Sequence, residues 1–297
     1  MLTRLLIIVT SPAQISRGMS LLVIKDPVHH DYREFISKAF NADAGAVDVY
    51  IVDSIRHAPA LNRVLTTYYQ QLRHLANHAG KGHDFLINVW FNQPKHFNAQ
   101  NYSDVRAVEG EDIGTFDLSV KRYSNTSSSG IDHESNGPEF GSFVCSAVGG
   151  TFDYLHDGHK ILLSLARFLC SKRLIVGITG PKLLQNKKHA EFLQLYAERE
   201  RSVVHFLQKL SWDSCPYEIF EINDVCGPTG YVRNIDALVV SGETRSGGDY
   251  VNKVRREHGF PQLEVVVIDV VGENVDNSTW EGKISSTTIR ASLALRV

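Results

Sequence analysis

The sequence predicts an α/β protein whose C-terminal half contains a parallel sheet. From residue 142 onward, short runs rich in Val, Ile and Leu alternate with amphipathic stretches long enough for helices. This alternation is typical of βαβ units whose strands are buried on both faces. Residues 123–141 are dominated by Ser, Asn, Gly and Pro, and such a segment buries too little apolar surface to offset its ordering entropy. We therefore expect one domain at residues 1–122, a linker at 123–141 and a second domain at 142–297.

The first domain has strand and helix patterns that fit either an α/β or an α+β fold. Residues 5–9 form an apolar run before a Ser-Pro turn and predict a strand. Residues 47–52 and 85–91 predict two more strands, and residues 61–79 have the apolar spacing of a helix. These patterns leave the topology and the role of this domain open.

The second domain is more regular. Strands are predicted at residues 143–148, 173–179, 217–222, 237–241 and 263–271, and helices at residues 158–171, 190–210 and 249–258. In a parallel sheet, ligands bind beyond the carboxyl ends of the strands, where the strand order reverses. We therefore expect a binding site near the first junction between a strand and a helix.

Composition and charge exclude several classes of protein. The chain has 297 residues, of which 43% are hydrophobic and 22% charged, an ordinary composition for a globular protein with a substantial core. The formal net charge is -2, which gives no indication of nucleic acid or an anionic membrane as the main partner. No apolar run approaches the ~20 residues that span a bilayer. We expect neither a membrane span nor a nucleic-acid partner.

The N-terminal segment leaves the cellular compartment open. Residues 1–25 contain several basic and hydroxyl side chains and no acid, a composition that also resembles a mitochondrial transit segment. We favour a first strand because the apolar run is short and lacks a helical period. Isolated cysteines fit a reducing compartment. We expect a cytoplasmic protein, with the mitochondrion as the alternative.

Histidines and cysteines do not form a recognisable metal site. His74 and His78 are four residues apart, so they share one face of the predicted helix. The glutamate of an H-E-x-x-H motif is missing, and no third ligand is indicated. The cysteines are Cys145, Cys170, Cys215 and Cys226. Their spacing matches no zinc pattern, and we expect buried thiols and no metal bound by the protein.

The junction after the first strand of the second domain carries the strongest functional signal. Gly149 and Gly150 end the strand, where glycine lets a backbone approach a ligand closely. Thr151 and a short polar loop follow, and His156 and His159 then open a helix. Unpaired N–H groups at a helix N-terminus suit phosphate, and two imidazoles three residues apart can donate to it together. An ordinary glycine turn with two solvated histidines is the alternative.

A second hydroxyl-rich helix start lies near the C-terminus. Ser285, Ser286 and Thr287 precede an apolar run that contains Arg290. Hydroxyls at this position cap a helix, and the same groups with an arginine can hold a triphosphate. The alternative is a capped terminal helix without a ligand.

These segments together resemble a known family. The first matches the H-x-G-H signature of the nucleotidylyltransferase superfamily, and residues 283–290 resemble its I-S-S-[ST]-x-x-R segment. Further resemblance to eukaryotic pantetheine-phosphate adenylyltransferases, including half of animal coenzyme A synthase, lies in residues 149–184, 196–199, 223–228 and 239–244, with Gly247, Gly248, Asn252 and Arg255. The resemblance implies a Rossmann-like nucleotidylyltransferase fold for the C-terminal half.

The resemblance also implies an activity and a set of site residues. AMP would pass from ATP, with Mg²⁺, to 4′-phosphopantetheine by direct in-line attack, giving dephospho-coenzyme A and pyrophosphate without a covalent enzyme intermediate. The implied catalytic residues are His156, His159 and Lys182. The implied ATP contacts are Gly149, Gly150, Thr151, Phe152, His156, His159, Ser285, Ser286, Thr287 and Arg290, and the implied acceptor contacts are Thr151, Lys182 and Arg199. Lys187 and Lys188 remain alternatives to Lys182, and a solvated helix charge is the alternative for Arg199.

The sequence departs from the family pattern in one loop and leaves two other functions open. The family's Asp-Pro-Tyr-Gly-Pro is Asp-Val-Cys-Gly-Pro at residues 224–228, which puts contacts of that loop in doubt. No G-x-x-x-x-G-K-[ST] loop occurs in the chain, so no kinase activity is expected. One alternative is a phospholipid-pathway cytidylyltransferase, because residues 286–288 resemble that group's S-T-T motif. The other is a scaffold that binds coenzyme A pathway enzymes through residues 1–122.

Overall fold

Each half of the chain folds around a parallel five-stranded sheet. The computed structural model describes residues 18–93, 101–126, 137–210, 215–270 and 284–295. The predicted strand at residues 5–9 and the middle of the predicted linker lie outside these residues. Strands of one direction joined by helices confirm the α/β class.

The N-terminal half is an α/β unit, so the α+β alternative is wrong. Its elements are β1 (Met19–Ile24), α1 (Arg33–Ala39), β2 (Ala46–Ile51), α2 (Ala58–His78), β3 (Leu86–Trp90), β4 (Asp104–Val108) and β5 (Val120–Tyr123). The strand order is β3-β2-β1-β4-β5, and every neighbouring pair is parallel. The predicted strands and helix correspond to β2, β3 and α2.

The C-terminal half repeats the same topology. Its elements are β6 (Phe143–Gly150), α3 (Asp157–Leu169), β7 (Cys170–Thr179), α4 (Tyr196–Lys209), β8 (Tyr217–Ile222), α5 (Pro228–Tyr231), β9 (Ala237–Ser241), α6 (Arg245–Glu257), β10 (Glu264–Ile268) and α7 (Ser286–Ala294). The order β10-β9-β6-β7-β8 places the first strand of this half at the centre, as β1 is in the N-terminal half. The order therefore reverses between β6 and β9.

One predicted helix begins later than expected. The helical pattern at residues 190–210 predicted a single helix, but α4 begins at Tyr196 and is preceded by a short 3-10 turn, Ala190–Phe192. The backbone N–H of Gln194 donates to Asp153 Oδ1 at 3.0 Å. This bond holds the segment against the loop after β6, and the carboxylate of Glu198 then accepts from Leu195 N at the start of the helix.

Helices α2 and α3 join the two halves through one apolar core. Eleven of the thirteen residues of α3 are buried, as expected for a helix covered on several sides. A single cluster of buried side chains includes Leu65 and Leu72 of α2, Leu163 and Leu165 of α3, and Val176 of β7. The two halves therefore pack as one body.

The two histidines of α2 are exposed, and most of the cysteines are buried. His74 and His78 are exposed, and their rings lie edge to face with centroids 4.3 Å apart. Cys145, Cys170 and Cys215 are buried thiols as predicted, whereas Cys226 is only partly buried, because it lines a cavity. Among the described residues, no helix combines the length and apolar character needed to cross a membrane.

Candidate active site

A cavity of about 550 Å³ opens at the carboxyl ends of β6, β7 and β9. It lies where the strand order reverses, the position at which open α/β sheets bind ligands. The predicted site residues that line it are Gly149, Gly150, Thr151, His156, His159, Ser285, Ser286, Thr287 and Arg290. The structure thus brings the two segments, from opposite ends of the C-terminal half, to one cavity.

The loop after β6 is tightly constrained. A Cβ atom on Gly150 would lie 3.1 Å from the ring of Phe152, so this position suits glycine. Phe152 itself has a φ of 52° and is fully buried. Its ring packs on that of His159, with centroids 5.3 Å apart. Phe152 therefore supports the floor of the site and does not line the cavity.

The two signature histidines form a stacked pair. The ring centroids of His156 and His159 are 3.8 Å apart, and the ring planes are inclined by 25°. Burial lowers the pKa of His156 to about 4 and holds that of His159 well below its usual range, although both rings still border the cavity. The Nδ1 atom of each ring has no hydrogen-bond partner within the described part of the chain. The pair is thus neutral near pH 7 and can donate N–H groups to a ligand.

Helix α7 is attached directly to the glycine loop. Ser285 Oγ caps the helix by accepting from Thr288 N at 3.1 Å, and Ser286 Oγ donates to the carbonyl oxygen of Asp153 at 2.9 Å. Arg290 and Asp153 form an ion pair that is almost wholly buried. Asp153 was missed from the sequence because its partner lies 137 residues away. The N-terminus of α7 is therefore fixed to the loop after β6, and it lines the same cavity as the histidine pair.

Comparison with known proteins agrees with this geometry. A family model described as "Cytidylyltransferase-like" matches residues 147–292. A protein of Saccharomyces cerevisiae named "Phosphopantetheine adenylyltransferase" is 48% identical over 161 residues, 54% of this chain and 52% of its own length. A protein of Pyrococcus abyssi with the same name is 39% identical over 146 residues, 49% of this chain and 88% of its own length. The chain belongs to the phosphopantetheine adenylyltransferase family.

The extent of these matches differs between relatives. The aligned segment spans about half the length of the yeast phosphopantetheine adenylyltransferase but most of the archaeal one. A solved Archaeoglobus fulgidus protein of unknown function is 27% identical, covers 47% of this chain and 98% of its own, and has a TM-score of 0.39.

The three lysines considered as phosphate contacts take different positions in this family member. Lys187 lines the cavity. After burial and the charge of His156, the positive charge of Lys187 is a further cause that lowers the pKa of His159. Lys182 belongs to the exposed 3-10 turn Pro181–Leu183, and neither it nor Lys188 lines the cavity. Lys187 is thus the lysine of the three that the structure brings to the site.

Arg199 lies beneath the cavity and does not face it. Its side chain is 1% exposed, so it is not a solvated helix charge. Its Nη1 donates to the carbonyl oxygens of Thr151 and Thr179 at 2.7 and 3.0 Å, and its Nε donates to that of Gln194 at 3.2 Å. Arg199 therefore ties the glycine loop to the end of β7.

The loop that departs from the family pattern keeps a tight turn. Asp224 Oδ1 accepts from the backbone N–H groups of Cys226 and Gly227 at 3.0 and 2.8 Å. Gly227 has a φ of 46°, and a Cβ there would lie 2.4 Å from Ile222 Cγ2. The replaced residues, Val225 and Cys226, both line the cavity. The backbone turn is therefore kept, and the two substitutions change the side chains that line the cavity.

The remaining residues that resemble the family lie on α6, which forms one wall of the cavity. A Cβ on Gly248 would lie 2.8 Å from Val265 Cγ1, so glycine permits close packing of α6 on β10. Asn252 donates to Leu263 O at 3.0 Å and accepts from Leu263 N at 2.8 Å. Arg255 is fully buried, and its donors bond backbone carbonyls of two neighbouring loops. These residues hold the wall in place.

Proposed function

We propose that the chain transfers AMP from ATP to 4′-phosphopantetheine, giving dephospho-coenzyme A and pyrophosphate. The observation that carries this proposal is that the neutral histidine pair and the N-terminus of α7 line one cavity. Both groups offer N–H or O–H donors to phosphate oxygens. The names of the yeast and archaeal relatives support the choice of substrates.

The proposed chemistry is a single in-line displacement. An oxygen of the acceptor phosphate forms a bond to the α-phosphorus of ATP as the bond from that phosphorus to the leaving pyrophosphate oxygen breaks. Such a step needs positioning and charge stabilisation, with no covalent intermediate on the protein. The cavity lining fits this requirement, because it is rich in donors fixed by buried contacts.

Each donor has a position suited to one part of the reaction. His156 and His159 would donate to the α-phosphate as charge develops on it, and Thr151 would bind the acceptor phosphate. Ser285 and the partial positive charge at the start of α7 would hold the other phosphates of ATP. We propose that Lys187, rather than Lys182, supplies the lysine charge beside the histidine pair.

Magnesium is proposed to enter with ATP. The lining of the cavity is mostly hydroxyl and apolar groups with a few basic side chains, and Glu243 is its acidic side chain among the described residues. This lining fits a hydrated ion carried on phosphate oxygens, since Mg²⁺ keeps several waters and takes few protein carboxylates. The ion would supply charge neutralisation of the triphosphate.

Partners and compartment stay predictions. We propose that coenzyme A pathway enzymes, if they bind, contact the N-terminal half, and that the protein acts in the cytoplasm, with the mitochondrion as the alternative. Residues 1–17, on which the transit interpretation depends, lie outside the described residues.

The test is pyrophosphate release by the purified chain with ATP, Mg²⁺ and 4′-phosphopantetheine. We expect release to require the acceptor and to prefer ATP over CTP. His159→Ala should lower kcat by roughly 10²–10³-fold, because it removes a donor aimed at developing charge. The matched control is His205→Ala, on the exposed side of α4, which should keep kcat. Preference for CTP would favour the cytidylyltransferase alternative, and silence with every pair of substrates would sink the proposal.

A further inference from the structure

We propose that helix α2, in the N-terminal half, positions the histidine pair of the active site, and that Arg73 is the positioning residue. The kinetic test of this role rests on the proposed function. The contacts of Arg73 and the NMR measurement described below do not depend on turnover. It gives the N-terminal half a role in the chemistry of the C-terminal half.

The first contact joins α2 to the signature itself. Arg73 Nε donates to Asp157 Oδ2 at 2.8 Å, and Arg73 Nη2 donates to Asp157 Oδ1 at 3.0 Å. Both side chains are 5% exposed. Asp157 stands between His156 and Gly158, as the variable residue of H-x-G-H, and is the first residue of α3. A bidentate pair of this kind fixes orientation as well as distance.

Arg73 is itself held rigidly. Its Nη1 donates to the carbonyl oxygens of Gly82 and Phe85 at 2.8 and 3.0 Å. The guanidinium therefore bridges the segment between α2 and β3 on one side and the start of α3 on the other. A side chain bound from both sides transmits the position of α2 to the residue beside His156.

A second contact fixes the same turn of α3. Lys160 is buried, and its Nζ donates to Ile87 O at 2.7 Å and to Asn88 Oδ1 at 3.0 Å, both on β3. Asn88 in turn donates to Asp48 of β2 at 2.8 Å. Burial lowers the pKa of Lys160 to about 8. The turn that carries both histidines is thus bound to the N-terminal sheet as well as to α2.

A third contact fixes a neighbouring part of the cavity wall. With its amide oriented to satisfy both groups, Asn62 of α2 donates to Asp269 O at 2.8 Å and accepts from Asp269 N at 2.9 Å. The next residue, Val270, lines the cavity, and its Cβ lies 3.8 Å from the Cβ position of Gly158. Helix α2 therefore holds two neighbouring parts of the cavity wall at once.

The contacts that support the histidine turn come from the N-terminal half, which lies outside the segment matched to the archaeal relative. The match to the Pyrococcus abyssi relative covers 88% of that protein and 49% of this chain. The unmatched remainder of the archaeal protein is too short to form a counterpart of the N-terminal half. The histidine turn of this chain therefore depends on contacts that the matched segment alone does not contain.

The kinetic test compares Arg73→Met with Arg106→Met in the full chain. Arg106 is the matched control, because it is also buried and paired, with Asp104 at 2.7 Å. Among the described residues, its polar partners Asp104 and Ala39 belong to the N-terminal half. We expect both variants to have a lower melting temperature than the wild type. Arg73→Met should lower kcat about 10–100-fold, as misplacement of about 1 Å does, with a smaller change in the KM for ATP. Arg106→Met should keep kcat within about twofold of the wild type when assayed below its melting temperature.

The direct readout is the titration of His156 by ¹⁵N NMR, assigned with His156→Gln. The charged groups around His156 are Asp157, which raises its pKa, and Lys160 and Arg73, which lower it; His159 and Lys187 lie on the cavity side. Losing Arg73 should therefore move the midpoint of His156 to higher pH, whereas Arg106→Met should leave it unchanged. The midpoint reports that the charge of Arg73 lies close to His156, and its measurement needs no substrate. It therefore tests the contact between the two halves independently of the proposed function.

If Arg73→Met does not fold, Arg73→Lys replaces it. Lysine keeps the charge but loses the bidentate geometry, so we expect a partial loss of kcat with an unchanged His156 midpoint. A folded Arg73→Met variant with wild-type kcat and a wild-type His156 midpoint overturns the proposal, and so does a folded Arg73→Lys variant with wild-type kcat.

Discussion

At the scale of single residues, the site depends on buried charges that each have a partner. Asp153 is the clearest example. It is fully buried, and its two carboxylate oxygens bond Arg290 of α7 and the backbone N–H of Gln194 before α4. A charge of this kind is tolerated in a protein interior because it is paired and hydrogen-bonded, and it becomes unfavourable when one partner is removed.

Asp153→Asn should therefore destabilise the protein strongly. The change leaves the guanidinium of Arg290, which is 1% exposed, without its counter-charge, and breaking a buried pair in this way costs roughly 3–5 kcal/mol. The free energy of unfolding by urea is the measurement. Glu218→Gln is the control, since it breaks a half-exposed pair with Arg173 and should cost at most about 1 kcal/mol. Equal losses in the two variants would contradict this account of Asp153.

At the scale of helices and strands, the short terminal helix α7 depends on its cap. It has nine residues, and isolated helices below about 12 residues are marginal in water. Its start is stabilised by the hydroxyl of Ser285 and by the bond from Ser286 to the loop after β6. A frayed start of α7 would remove hydroxyl and N–H donors from the cavity that the histidine pair also lines.

Ser285→Ala should raise the KM for ATP several-fold while changing kcat less. Losing the cap costs about 1 kcal/mol, and the affected turn holds the phosphates in the proposed complex. Ser292→Ala is the matched control on the same helix. Within the described residues its hydroxyl donates to Ile289 O of the same helix, and Ser292 does not line the cavity. Initial rates over a range of ATP concentrations give both constants. A KM raised equally by both substitutions would point to general fraying of α7.

The elements differ in how well the sequence predicts them. Strands β7 and β9 were predicted within a few residues because buried parallel strands are nearly continuous runs of apolar residues. Strand β8 lies at the sheet edge and was predicted from an imperfect alternation of apolar and polar residues. Strand β5 was missed, since it has four residues and exposes charged side chains at the sheet edge. Strand β4 was missed because a buried Arg106 interrupts its apolar run. That arginine is paired with Asp104, which no local pattern indicates.

The site was predictable where its signal is local. The glycine pair, the H-x-G-H segment and the hydroxyl-rich start of α7 each lie within about ten residues, and the cavity brings them together. The ion pairs of Asp153 with Arg290 and of Asp157 with Arg73 join residues 137 and 84 positions apart. Their partners are fixed by tertiary packing alone. For the same reason the sequence could not separate Lys187 from Lys182.

At the scale of the whole molecule, the two halves share one core. Helices α2 and α3 pack together, and the buried cluster continues from the N-terminal sheet to the C-terminal one. Phe91 after β3 contacts Phe168 of α3, and Trp90 contacts Phe206 of α4, with ring centroids 6.3 and 5.9 Å apart. Unfolding either half alone would expose these apolar side chains and break the buried ion pair between Arg73 and Asp157.

We therefore expect the described body of the protein to unfold in one cooperative transition, although the proposed nucleotide site lies in the C-terminal half. A ligand that binds only the native state stabilises the whole cooperative unit by RT ln(1 + [L]/Kd). Saturating ATP analogue should then slow amide exchange in β2 and β3 by the same factor as in β6 and β7, for amides that exchange through global unfolding. Hydrogen exchange followed by mass spectrometry measures both sets at once. Slowing confined to β6 and β7 would mean that the two halves open separately, and the shared core would then have to be much weaker than its burial indicates.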